Sequence, residues 1–488
     1  MPTMSKKAVN WFRGVKPAVW KPLLVAALGL AAFWPTLRGG FMIDDPFLLN
    51  AVQAEPGFTL KGLRSDFTHN VHHQAGSLYY RPVLGALTRA EFSLWDARPF
   101  GYHAVSLLFH LGSAVLLFYL LSLLEIGTTV PLAAACLFAV NPVIVDDLLA
   151  ATGGESMANF LMLASLLLFL RGKWLTAWLL SFPVFFAKES NLVLPALLAL
   201  FLAYKGRLKE ELPKVLSLLP GCLLFLWLRH LYVAPAPGLD PATVLRFMIK
   251  VFPRAVLHYL RVLLFPFGLE TWPPMFQPSS LWPLAAAALA ALSALLLWPL
   301  KRRLAVFCAG WFLILMAPRV PAIIVNMTMM DKWVFLAGPA VFVAMLVRLF
   351  ELRDSASPWL RALPYACLGA ALTFWTFTAR TNISRRGSDE KNYRWTIRAG
   401  PRLFASYRLG LILLSGGRPA EAVEVLEPLA ALAPGDPDCQ NALSMALWHS
   451  GRQKEAWLRM RELAARYPDN VSIRENYSHM RGLIGGGN

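Results

Sequence analysis

From residue 18 to residue 380 the chain alternates long apolar runs with short polar breaks. A helix needs roughly 20 apolar residues to cross the hydrocarbon core of a bilayer, and shorter runs are tolerated where the bilayer thins or neighbouring helices tilt. The pattern predicts eleven spans, at 18–36, 101–124, 129–147, 155–171, 173–187, 190–204, 214–232, 281–300, 304–318, 333–349 and 362–380. Two stretches have helical apolar spacing broken by basic residues, which suits helices lying along the interface. One lies within 38–100, where Arg81, Arg89 and Arg98 interrupt the pattern; the other is 252–274, expected to be superficial or re-entrant.

Composition agrees with this reading. The chain is 57% hydrophobic and 16% charged, which excludes an ordinary soluble globule. Its five cysteines are single and widely spaced, so they imply no disulfide framework or metal knuckle. The formal net charge of +18 invites a nucleic-acid reading. Many of the basic residues, however, sit in short loops between apolar runs, where they set orientation and meet anionic lipid. The N-terminal lysines, "RGK" at 171–173, "KGRLKEELPK" at 205–214, "KRR" at 301–303 and Arg348, Arg353 and Arg361 share one side if eleven spans alternate. The positive-inside rule makes that side cytoplasmic. The first run, which no small-residue cleavage site follows, is then an uncleaved anchor with its N-terminus inside, and the C-terminal part lies outside.

Beyond residue 384 the composition becomes that of a soluble helical domain. "SGGRPAEAVEVLEPLAALAPGD" returns as "HSGRQKEAWLRMRELAARYPDN", so Gly417, Arg418, Glu421, Ala422 and Pro434 recur 34 residues later as Gly451, Arg452, Glu455, Ala456 and Pro468. That period is the tetratricopeptide signature, in which paired helices stack into a solenoid. An entry helix at 385–400 and a cap at "SIRENYSHMRGL" bring the array near the minimum for a stacked core. Such modules bind peptides or proteins on a concave face, or act as a structural extension.

With the orientation set, Asp44 and Asp45, Asp146 and Asp147, Glu155, Lys188 and Glu189, and Asp331 and Lys332 all emerge on the non-cytoplasmic face. Charges at membrane depth are costly unless they face a cavity or a partner, so this convergence marks a functional-site candidate. One residue of the "DD" pair is also suited to capping a helix. His69, His72 and His73 have a spacing that suits a metal, though loop histidines without cysteine partners are weakly specific.

Seven blocks carry a resemblance: "FMIDDPFLLN", "YYRPVLGALTRAEFSLWDARPFGYHAVSLLFH", "AACLFAVNPVIVDDLLAATGGES", "FPVFFAKESNLVLPALL", "YLRVLLFPFGLE", "MMDKWVFLAGPAVF" and "RRGSDEKNYRWTIRAGP". In that order the chain resembles the transmembrane and tetratricopeptide-repeat O-mannosyltransferases and their bacterial relatives, which belong to the GT-C glycosyltransferases. The resemblance implies an all-α polytopic bundle over 1–384 and a repeat solenoid over 385–488. It implies inverting transfer of a sugar from a polyprenyl-phosphate donor, with Asp44 or Asp45 as general base. Arg81, Lys188 and Lys332 fall in blocks that face the donor phosphate in this class. His103, Asp146, Glu155, Glu189 and Asp331 are the accompanying substrate-side residues, and His110 is a packing residue deeper in the same helix.

Some positions depart from the family pattern. Asn141-Pro142 replaces the usual His-Pro, Gly154 stands before Glu155 where the relatives carry Arg, and "DKW" stands where they carry Glu-Arg-Tyr, so sugar and acceptor preference are open. No cofactor is required by the sequence, and a divalent metal is left open. The expected partners are the lipid-linked donor, a protein acceptor or a partner on the repeats, and membrane lipids, without nucleic acid. The chain is expected in a bacterial inner membrane with a periplasmic repeat domain. Transfer to a lipid or glycan acceptor, and a non-catalytic membrane-anchored scaffold, are the alternatives. A transporter is disfavoured because the charges gather at one face rather than mid-span.

Overall fold

The computed structural model describes residues 19–42, 44–55, 57–73, 77–233, 240–273, 281–298, 300–326, 328–354, 357–398 and 400–485. They form α-helices joined by short 3-10 turns, with no strand among the described residues, and divide into two compact units, one up to Ser384 and one from Arg385 onward. The first unit is a polytopic helical bundle.

Each of the eleven apolar runs is helical. Seven described helical stretches are long and apolar enough to cross a membrane: Trp20–Arg38, Pro99–Ser122, Thr129–Leu149, Leu208–Tyr232, Arg302–Ile324, Asp331–Asp354 and Pro358–Arg386. The remaining runs appear as shorter apolar helices at Gly154–Leu170, Trp174–Ala187, Glu189–Tyr204 and Trp282–Leu295. Thr129–Leu149 is almost wholly buried, at the centre of the bundle. It packs on Trp20–Phe33, Pro99–Ser122 and Gly338–Glu351, and Phe138 and Phe335 meet there with ring centroids 4.2 Å apart. Glycine permits the closest helix approaches, as small residues do in membrane bundles. A Cβ on Gly112 would stand 2.7 Å from Phe160, and one on Gly29 would stand 2.6 Å from Leu111.

The two interfacial expectations resolve differently. Residues 82–122 are two helices, Pro82–Trp95 and Pro99–Ser122, and the chain turns between them at Asp96, whose φ is +52°. The second element begins earlier than expected, as one helix Pro241–Leu264, and its face of Val251, Ala255, Val256, Tyr259 and Leu263 is buried.

In the second unit, Leu403–Ser415 pairs with Pro419–Leu432, and Pro437–His449 with Gln453–Arg466. Gly417 and Gly451 take φ of +70° and +91° in the turns, a left-handed conformation that costs glycine little. Arg418 binds Glu421, and 34 residues on Arg452 binds Glu455, so this ion pair repeats with the helices; each arginine also reaches a second acid, Glu390 and Glu427 respectively, which do not share that spacing. Asp389–Ile397 precedes the pairs and Val471–Gly485 follows them.

Candidate active site

The two aspartates of the first loop part company. Asp45 begins the helix Asp45–Ala54 and is fully buried. Its oxygens accept hydrogen bonds from the backbone N–H groups of Met42 (2.8 Å), Ala151 (2.9 Å) and Thr152 (2.9 Å) and from the Thr152 hydroxyl (2.6 Å). Burial pulls its pKa up and the four donors pull it back. Every contact is a donor, so the carboxylate joins the first loop to the 150–152 loop. Asp44, one residue earlier, is exposed and makes no side-chain cap on that helix. Its charge acts on His72 and Tyr79, as does that of Arg81. Burial pushes His72 below the ordinary imidazole range; Asp44 opposes that and Arg81 reinforces it.

A set of cations gathers around Glu189 and Glu155. Arg81 precedes Pro82 at the start of a helix; its Nε donates to Glu189 Oε2 (2.9 Å) and its guanidinium lies 4.4 Å from the Tyr79 ring centroid. The other Glu189 oxygen accepts from the Tyr80 N–H (2.8 Å). Among the described residues the two terminal nitrogens of Arg81 make no hydrogen bond. Glu155, buried at the head of Gly154–Leu170, is gripped by the Lys188 ammonium and, through both oxygens at 3.2 Å, by the Arg319 guanidinium. Lys332 adds its field to Glu155 and Lys188 and has no hydrogen-bond or ionic partner among the described residues. Four cations therefore face two carboxylates.

The other expected residues anchor the surroundings. Asp147 accepts from the Glu155 and Ser156 N–H groups (2.9 and 2.7 Å) and so caps the helix that presents Glu155. Asp146 accepts from the Thr271 hydroxyl (3.3 Å). Asp331 accepts from the Glu270 N–H (3.1 Å) and pairs with His258 Nε2 (2.9 Å), lashing the 268–273 strip and the Pro241–Leu264 helix beside Lys332. Asn141 donates to Leu263 O (3.1 Å) and accepts from the Val143 N–H (3.1 Å). Both His103 nitrogens lie 3.2 Å from carbonyl oxygens, of Leu148 and Gly40, inside the wall. His110 is packed among Phe33, Phe138 and Phe335.

His69 and His73 stack on each other 4.9 Å apart, while His72 bonds Ser77. Among the described residues no group of three histidine, cysteine or acidic side chains is arranged to hold a metal.

Sequence reading missed Arg319. The signal was a single arginine between Pro318 and Pro321 at the end of an apolar run, where the helix is interrupted and a charge at membrane depth needs a partner. It also missed the bidentate pair of buried Arg89 with Asp66, at 2.9 Å for both bonds, which ties Pro82–Trp95 to Leu60–Thr68.

No family model matches the chain. It is 27% identical over 154 residues to the protein O-mannosyl-transferase TMTC3 of Homo sapiens, and likewise to that of Mus musculus. The match takes in 31% of this chain and 17% of the length of each of those relatives.

Proposed function

We propose that the chain is a membrane glycosyltransferase of the GT-C type, taking a sugar from a polyprenyl-phosphate donor to a hydroxyl of a protein acceptor on the non-cytoplasmic face. The observation that carries this reading is the gathering of Arg81, Lys188, Arg319 and Lys332 around Glu155 and Glu189, with Arg81 and exposed Asp44 acting on the same two side chains, His72 and Tyr79. The likeness to a protein O-mannosyl-transferase supports it.

In the reaction an acceptor oxygen attacks the anomeric carbon while the bond from that carbon to the phosphate oxygen breaks. The bonding pair leaves with the phosphate, and Asp44 takes the hydroxyl proton. The departing lipid phosphate gains negative charge. The free nitrogens of Arg81 and the ammonium groups of Lys188 and Lys332 stabilise that charge, and preorganised cations in a water-poor site do so without reorganisation. Glu155 and Glu189 hold the cations in place before the donor arrives. Asp45 positions the base: its four hydrogen bonds fix the turn on which Asp44 stands. The C-terminal helix pairs are tetratricopeptide-type repeats that present the acceptor polypeptide. The bacterial inner membrane, with the repeats in the periplasm, is the setting proposed for the chain.

The test is sugar transfer from polyprenyl-phosphate sugars to candidate acceptor proteins by purified protein. Wild type transfers and Asp44→Asn loses roughly 100-fold or more in rate, the contribution of a positioned general base. Equal rates for the two proteins would remove Asp44 from the mechanism, and an inert wild type with every donor would favour the scaffold.

A further inference from the structure

The helices Thr129–Val140, Arg302–Met316 and Gly338–Glu351 each have one end at the candidate active site, near Asn141, Arg319 and Asp331. Around their other ends lies a cavity of 710 Å³. Lys301, Arg302 and Arg303 line it at the start of Arg302–Met316. Three acids also reach the wall, and each is already paired outside this triad: Glu125 with Lys205 (3.0 Å), Asp354 with Arg353 (3.5 Å) and Glu351 with Arg348. Among the described residues the side chains of the triad have no ionic or hydrogen-bonded partner.

A second cavity, of 310 Å³, shares Tyr204, Arg302 and Arg303 with the first and is otherwise lined by Leu200, Ala203, Val306 and Phe307. Tyr204 stands where the two meet: its hydroxyl binds Leu124 O (2.9 Å) on the polar side and its ring meets Phe307, 5.3 Å between centroids, on the apolar side. Polar recess and apolar groove therefore adjoin along Tyr204, Arg302 and Arg303. Basic residues serving only to orient the chain need no cavity, and a free anion needs no groove.

We propose that this end of the bundle holds an anionic phospholipid, its phosphate headgroup in the recess against Lys301, Arg302 and Arg303 and one acyl chain along Leu200, Ala203, Val306 and Phe307. Basic pockets between membrane helices recruit such headgroups, and each cation adds to the preference over a zwitterionic lipid. The site is separate from the proposed transfer chemistry and does not depend on it.

Native mass spectrometry of the detergent-purified full chain, loaded with equal amounts of dioleoyl phosphatidylglycerol and dioleoyl phosphatidylcholine, tests it. Wild type is expected to retain phosphatidylglycerol roughly tenfold over phosphatidylcholine. Arg302→Gln with Arg303→Gln is expected to abolish that preference. Ala203→Phe with Val306→Trp, at two exposed positions away from the core, is expected to fill the groove and lose the retained lipid. Equal retention of the two lipids by wild type would overturn the proposal, as would lipid retention undiminished in the groove variant. Displacement of phosphatidylglycerol by an equal concentration of inorganic phosphate would also overturn it, assigning the recess to a free anion. Should the arginine variant not fold, the groove variant and the phosphate competition decide the matter.

Discussion

Adjacent aspartates have opposite surroundings because one residue along a helix start turns the side chain through a large angle. Asp45 points inward and collects four donors; Asp44 points to water and collects none among the described residues. The two therefore separate experimentally. Asp44→Asn should leave the thermal midpoint unchanged while removing transfer. Asp45→Asn places an amide against backbone N–H groups, and two buried donors left unmatched cost about 3 kcal/mol, seen as a lowered melting temperature. Arg319 makes a further case. Its planar fork grips both oxygens of Glu155, a geometry that lysine lacks, so Arg319→Lys should reduce transfer nearly as far as Arg319→Gln, measured as rate at saturating donor. Neither the division of labour in "DD" nor this fork was legible from the residues alone, because both depend on partners more than 100 positions away.

At the level of elements, the Pro82–Trp95 helix carries buried groups on the side that a purely superficial helix would leave wet. Arg89 is matched by Asp66, but Glu91 is buried with Asp45 near it, and burial foremost pushes its carboxyl from 4.5 up to about 9. The folded chain keeps a proton that the unfolded chain releases above about pH 4.5. This group's contribution is thus complete at low pH and is lost as pH rises toward 9. Glu91→Gln mimics the protonated acid at every pH. The difference in melting temperature between variant and wild type should therefore grow in the variant's favour from pH 5 to pH 9, and a constant difference would show that Glu91 ionises normally. Amphipathic spacing revealed that this helix exists. The spacing cannot report which of its charges are buried, since a salt-bridged arginine and a solvated one look the same in one dimension.

At the scale of the molecule, the candidate site draws on segments around residues 44, 81, 155, 188, 319 and 332. Within it Glu155 is the counter-ion on which Lys188 and Arg319 depend. Glu155→Gln leaves Lys188 and Arg319 buried without their counter-ion, at a cost of about 3–5 kcal/mol, so the variant should melt earlier even though the change is conservative in shape. If the melting temperature held, the cluster would be more open to water than its burial indicates. The chain by itself determined the apolar runs, the helices they form, the polar breaks that end them and the 34-residue recurrence in the C-terminal unit. Those are consequences of short-range periodicity and of the hydrocarbon core, which act on each run separately. Only the tertiary structure decided which aspartate is buried, that Arg319 joins Lys188 on Glu155, and that Asp147 and Asp331 hold backbone in place. Burial, pairing and the direction of a side chain are set by which helices meet, and the order of residues along the chain does not contain that until the bundle has closed.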